Sequence, residues 1–291
     1  MTVNTVANFE VVSTNGVRLA AYDFGGDGPT VVFCHATGFC AHTLAPMIEA
    51  MTPRFRCVSF DFRGHGHTEL PDGVSVAWSA MTQDFLAVVR HITTAAGTPG
   101  EPVLAVGHSM GGASIVMAEV ANPGTISRAW MYEPILLPRG PELIGANSPD
   151  IAVGARRRTA SFGSVEQIRE RYSTRPPLSV LDPRVLDQYI EHGFHTADDG
   201  SLTLRCRPDV EASVFEHHQA GGFEAALAID KPILAGAAST QGMVGERIEQ
   251  VSVQNPMLKM IEYPGLTHFG PLEQPETMAA DATEFLLAEG E

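Results

Sequence analysis

The sequence predicts an α/β fold: a mainly parallel sheet with helices on both faces and a helical insertion past its middle. Three observations carry this. Short apolar, β-branched runs alternate with amphipathic stretches over residues 30–132 and again from 232 to the end, the pattern of β–α units that cover both faces of a parallel sheet. Asn15-Gly16 joins two alternating runs, 9–14 and 17–24, a hairpin signal that adds antiparallel strands at one edge. Between Pro134 and Asp230 the alternation stops, over a stretch too long to be a simple loop.

Each element has a local reason. Residues 30–34 (TVVFC) form the continuous apolar run of a strand buried on both faces. A helix is expected over 42–51, a buried strand over 56–60 ending at Asp61, and an amphipathic helix over 77–95. The strand 102–106 runs into Gly107-His108-Ser109-Met110-Gly111, a helix continues to about 121, and the strand 126–132 ends at Glu133-Pro134. RRRTASFGSVEQIRERY and PRVLDQYIEHGF then read as helices broken by Pro and Gly. The strand 232–236, a helix, a strand over 258–263 and a terminal helix over 273–287 complete the chain. This divides it into a sheet domain, 1–133 with 231–291, and a helical cap, 134–230, over the carboxyl ends of the strands, where α/β folds bind ligands.

The 291 residues, 44% hydrophobic and 18% charged, suit a folded globular chain. A net charge of −15 disfavours nucleic acid and anionic membranes as partners. No apolar stretch approaches the ~20 residues that span a bilayer, and the opening MTVNTVANFEVV lacks the basic and apolar regions of a signal peptide. Cys34, Cys40, Cys57 and Cys206 show neither a CxxC pair nor zinc spacing. They read as reduced structural cysteines of a cytoplasmic protein that needs no metal or cofactor. Nothing in the residues sets an oligomeric state.

Gly107-His108-Ser109-Met110-Gly111 fits G-x-S-x-G, and it lies between an apolar strand and a helical run, the context that motif needs. A serine on so sharp a turn projects its hydroxyl above the sheet as a nucleophile, and the helix N-terminus favours developing negative charge. Acyl transfer also needs two N–H donors facing the oxyanion. Met110, directly after the serine, is one candidate. Thr37, in the loop His35-Ala36-Thr37-Gly38-Phe39 after the strand TVVFC, is the other.

These motifs, with Asp61-Phe62-Arg63-Gly64-His65-Gly66 and Gly265-Leu266-Thr267-His268-Phe269, occur in the order and near the spacing of the α/β-hydrolase superfamily, which the chain resembles over nearly its full length. The resemblance implies an eight-stranded, mostly parallel sheet with a cap between its sixth and seventh strands. It implies His268 as the catalytic base, in the loop before the last helix, and Asp61 and Arg63 as a loop-organising pair. His65, His67, His108, His192, His195, His217 and His218 lack such a context, and His108 reads as a packing residue.

The acid departs from the commonest pattern. Most relatives carry an Asp shortly after the seventh strand, where this chain reads Gly236-Ala237-Ala238-Ser239-Thr240-Gln241. Some carry it at the end of the sixth, where Glu133 stands. Glu133 is therefore the expected third member of the triad, with Glu246 or no acid at all as the alternatives. The serine separates this chain from relatives with an Asp nucleophile. The expected activity is hydrolysis of a small carboxylic ester or related acyl substrate through an acyl-enzyme. Thioesterase, lactonase, C–C bond hydrolase and cofactor-free perhydrolase chemistry would use the same parts. A slow or non-catalytic ligand-binding protein is the reading that the missing Asp favours. Arg156-Arg157-Arg158 reads as a solvated helix face, with recognition of an anionic acyl group as the alternative. Phe162, Tyr172, Tyr189 and Phe194 suit either an acyl pocket or cap packing.

Overall fold

A computed structural model describes residues 7–138, 148–217 and 221–288. The first six residues of the opening, part of the 134–230 stretch and His218 lie outside them. The large sheet has eight strands in the order β1-β2-β4-β3-β5-β6-β10-β11. They are β1 (Ala7–Val12), β2 (Arg18–Gly25), β3 (Thr30–Cys34), β4 (Arg56–Phe60), β5 (Val103–His108), β6 (Ile126–Tyr132), β10 (Ile233–Ala237) and β11 (Leu258–Glu262). Pairing is antiparallel for β1 with β2 and for β2 with β4, and parallel from β4 onward. Asn15 and Gly16 both take positive φ, 59° and 73°, which is what their pairing at a tight turn supplies.

The continuous apolar strands serve two cores. Val32, Cys34, Ala105 and Met131 face one layer, with α2 (Trp78–Ala95), α3 (Met110–Ala121), α8 (Gly222–Ala228) and α9 (Met243–Gln254). Val31, Phe33, Val106 and Trp130, one residue out of step, face the other, with α1 (Ala45–Met51) and α11 (Pro275–Leu287). Phe33 and Trp130 are fully buried, and such a side chain contributes roughly 1.5–3 kcal/mol or more by leaving water.

Between β6 and α8 run α4 (Ser148–Arg156), α5 (Val165–Thr174), α6 (Pro183–His192) and α7 (Pro208–Glu216). Ser164 caps α5 by accepting from the Gln167 N–H, and Asp182 caps α6 by accepting from the Arg184 N–H. The stretch is not purely helical as the sequence suggests. It holds a small antiparallel sheet, β7 (Ser161–Phe162), β9 (Leu202–Leu204) and β8 (Phe194–Thr196). Strands of two and three residues are too short to show an alternation. Asp199-Gly200 marks the turn between β8 and β9, closed by the Ala197 N–H on Ser201 O.

Candidate active site

The turn between β5 and α3 carries Ser109 at φ 56°, ψ −117°, a conformation that L-residues adopt only under constraint. The Ser109 N–H donates to Tyr132 O at 3.0 Å. Glycine is required on either side: a Cβ at Gly107 would lie 2.6 Å from Gly112 Cα, and one at Gly111 would meet the Cys34 carbonyl. The hydroxyl of this 7%-exposed serine lies 3.0 Å from His268 Nε2.

His268 sits in the loop between β11 and α10 (Gly270–Glu273). Three bonds hold that loop. Tyr132 Oη donates to Thr267 O at 2.8 Å, the Thr267 N–H donates to Glu273 Oε1 at 2.8 Å, and His108 Nε2–H donates to His268 O at 2.7 Å. His108 does more than pack, then. Burial, with His268 nearby, pushes it down to about 3, so it stays neutral and brings no second charge to the site. Its role has no sequence signal beyond its place beside Ser109.

On the far side of the imidazole, His268 Nδ1 lies 2.9 Å from Glu133 Oε2. Carboxylate oxygens only accept, so Nδ1 carries the hydrogen and Nε2 is free to accept from Ser109. Glu133, at φ 45° just past β6, is fixed by its own N–H on Gly236 O and by the Ala238 N–H on its Oε1, both at 2.8 Å. The residues after β10 thus approach this carboxylate with a main-chain donor.

Thr37 and Met110 stand side by side, Thr37 Oγ1 donating to Met110 Sδ at 3.4 Å. Among the described residues neither N–H meets a protein acceptor. The Thr37 loop is tied from both sides. His35 Nδ1–H donates to Ala36 O and its Nε2 accepts from the Phe62 N–H, and burial, with His65 nearby, holds this ring well below the usual histidine range and so neutral. From the other side Tyr189 Oη, on α6, donates to Gly38 O at 3.2 Å. Arg158 donates to Tyr189 Oη at 2.8 Å and to Glu211 Oε2 at 2.6 Å.

Arg158 is therefore no part of a solvated face. Arg156 and Arg157 are exposed, the first paired with Glu216, whereas Arg158, two residues past the end of α4, turns inward. Tyr172 and Tyr189 line the cavity above Ser109, whereas Phe162 and Phe194 pack behind them. Asp61 and Arg63 each organise a loop without pairing with one another. Asp61 accepts from Tyr22 Oη and the amides of Ala41 and His67, and Arg63 makes a fully buried, two-pronged pair with Asp84.

The cavity, about 840 Å³, is walled by the strand-end loops below and by α4, α5, α6 and α7 above, and is mostly apolar. A smaller one of about 410 Å³ lies by Thr30, Val103 and Ser127, at the opposite ends of the strands. The Ser109, His268 and Glu133 side chains and the larger cavity thus coincide at the carboxyl ends of the strands, where α/β folds bind ligands. Among the described residues all four cysteines are buried and unpaired, no cluster is arranged to hold a metal ion, and no helix is long and apolar enough to cross a membrane.

The family model described as the alpha/beta hydrolase family matches residues 31–282. The Mycobacterium tuberculosis protein named Probable oxidoreductase EphD is 27% identical over 305 aligned positions, covering 96% of this chain and 50% of that one. The chain spans about half the length of these curated relatives. Mouse protein phosphatase methylesterase 1 is 34% identical over 103 residues, 35% of this chain and 26% of that protein. Among solved structures, E-2-(acetamidomethylene)succinate hydrolase superposes with a TM-score of 0.81 at 19% identity, covering 98% of this chain and all of that one. A thermophilic esterase from Thermogutta terrifontis gives 0.69 at 19% identity, covering 96% and 98%. At these identities the structures share the fold.

Proposed function

The chain belongs to the alpha/beta hydrolase family, and we propose that it is a serine hydrolase of carboxylic esters in which Ser109, His268 and Glu133 form the triad. The observation that carries this is the unbroken path Ser109 Oγ–His268 Nε2–His268 Nδ1–Glu133 Oε2, at 3.0 and 2.9 Å. Both contacts lie within the reach that proton transfer needs. The methylesterase relative, 34% identical over 103 residues, is consistent with an ester substrate.

The steps follow from the geometry. Ser109 Oγ attacks the ester carbonyl as its proton passes to His268 Nε2. The negative charge on the carbonyl oxygen falls to the Thr37 and Met110 amides. The tetrahedral species collapses, and the alcohol leaves with the proton from Nε2. Water then gives a proton to Nε2 and attacks the acyl carbon, and collapse releases the acid and restores Ser109. Glu133 stays ionised throughout, holding the Nδ1–H tautomer and offsetting the imidazolium charge. The elements α4 to α7 act as a cap that closes the cavity and, through Tyr189, holds the oxyanion loop.

A fluorophosphonate probe and p-nitrophenyl esters of increasing chain length test this together. The expected result is labelling at Ser109, absent in Ser109→Ala, with turnover of at least the short esters. A protein that neither labels nor turns over any ester would be a ligand-binding member of the family.

A further inference from the structure

Most arginines in this acidic chain have partners. Among the described residues, five arginine side chains have no hydrogen-bond or ion-pair partner. Arg54, Arg90 and Arg157 are exposed on the outer surface. Arg171 and Arg175 instead line the cavity that holds Ser109. They lie four residues apart at the end of α5, Arg171 half-buried and Arg175, the residue that follows the helix, exposed at the cavity's edge. The neighbouring Arg169 pairs with Asp187, and Arg158, in the same cavity, is neutralised by Glu211.

Two like charges at this spacing repel. The C-terminal end of a helix favours cations, but that favour does not account for two unpartnered arginines lining one mostly apolar cavity. An anion between them would offset the repulsion, and guanidinium groups match a carboxylate in shape and charge. The acidic groups already in the wall are committed: Glu133 to His268 and Glu211 to Arg158. Among the described residues, then, no lining carboxylate is left to pair with Arg171 and Arg175, and a ligand in the cavity would supply that charge.

We propose that the substrate carries an ionised carboxylate on the part remote from the scissile ester, bound by Arg171 and Arg175. This rests on the ester-hydrolase reading, so its test has two readouts. In the first, monomethyl esters of linear dicarboxylic acids are compared by pH-stat with methyl esters of the matching monocarboxylic acids. At the best chain length kcat/KM should favour the anionic ester by about tenfold or more, the worth of one charge-assisted hydrogen bond. Arg171→Gln with Arg175→Gln should collapse that ratio toward one, and Arg171→Lys with Arg175→Lys should retain part of it. A neutral ester preferred at every length, or a ratio untouched by the double Gln change, overturns the proposal. In the second, calorimetry measures binding of the same monomethyl dicarboxylates to Ser109→Ala, with thermal unfolding as a check on folding. Binding weakened at least tenfold by the Gln pair supports the anion site even if the wild type turns over no ester, a result that would sink the hydrolase reading alone. Absence of binding, or binding indifferent to the Gln pair, overturns the site.

Discussion

Among the described residues, two carboxylates border the cavity, and they are held differently. Glu133 belongs to the sheet. Its N–H is bonded to Gly236 O, its Oε1 accepts from the Ala238 amide, and only Oε2 meets a side chain. Glu211 belongs to α7. Its Oε2 meets Arg158, whose other bonds run to the hydroxyls of Tyr189 and Tyr172. The sheet fixes its polar group through main chain, whose positions follow from strand register. The insertion fixes its group through long side chains from separate elements, each of which gives up rotamer freedom. Chemistry should therefore fail sharply when the sheet's group is altered, and by degrees when the insertion's is.

The largest effect expected is on the sheet side. Ser109→Ala should lower kcat by about 10⁶, as for loss of a triad nucleophile, while thermal unfolding stays cooperative. An Ala variant with more than a few per cent of the turnover would remove Ser109 from the mechanism. Glu133→Gln should cost between about 10² and 10⁴ in kcat, because an amide loses the charge and can impose the wrong tautomer on His268. A smaller loss would place the orienting group elsewhere.

The same rigidity should make the sheet side acid-labile. Burial pushes His108 down to about 3 and His65 to about 4, and holds His35 well below the usual range. Below about pH 6.5 the unfolded chain gains protons that the folded one refuses, so stability falls as pH falls, by about 2 kcal/mol per histidine at pH 5. Above that pH these residues add no slope. Urea midpoints equal at pH 7 and pH 5 would show that these rings titrate without unfolding.

On the insertion side, Tyr189→Phe leaves Gly38 O without its donor. It should lower kcat about tenfold with KM little changed, less than the 10²–10³ for loss of an oxyanion donor itself. A change confined to KM would make Tyr189 a wall of the pocket only. The smallest effect is reserved for Arg156→Ala. Its partner Glu216 is exposed with it, so stability should move by less than about 0.5 kcal/mol in chemical denaturation, whereas Arg158→Ala should cost several times more. Equal costs would mean that the inward turn after α4 has no energetic weight.

The same contrast decides what can be read from residues alone. The large sheet is legible because its inner strands are apolar on both faces, its first two alternate, and its turns carry Asn-Gly or glycines at crowded points. Ser109 and His268 follow from motif and order, and Glu133 is suggested by what the GAASTQ segment lacks. The network of Arg158, Glu211, Tyr172 and Tyr189 has no such signal. Its members stand up to 53 residues apart, and the contact with Gly38 spans 151. No local spacing brings them together, and each residue type is ordinary on a cap surface. The small sheet escapes for a related reason, since its strands are shorter than one alternation.

The brace on Glu133 comes from the amide of Ala238, not from its side chain. Any residue that keeps an N–H can supply it, so position 238 bars only proline. With Glu133 just past β6, the proposed triad draws no side chain from residues 239–242. What this corner keeps is structural: the Thr240 N–H donates to Glu262, Gly242 holds φ 101°, and the Ser239 carbonyl lies so close to Gly245 that no side chain fits there.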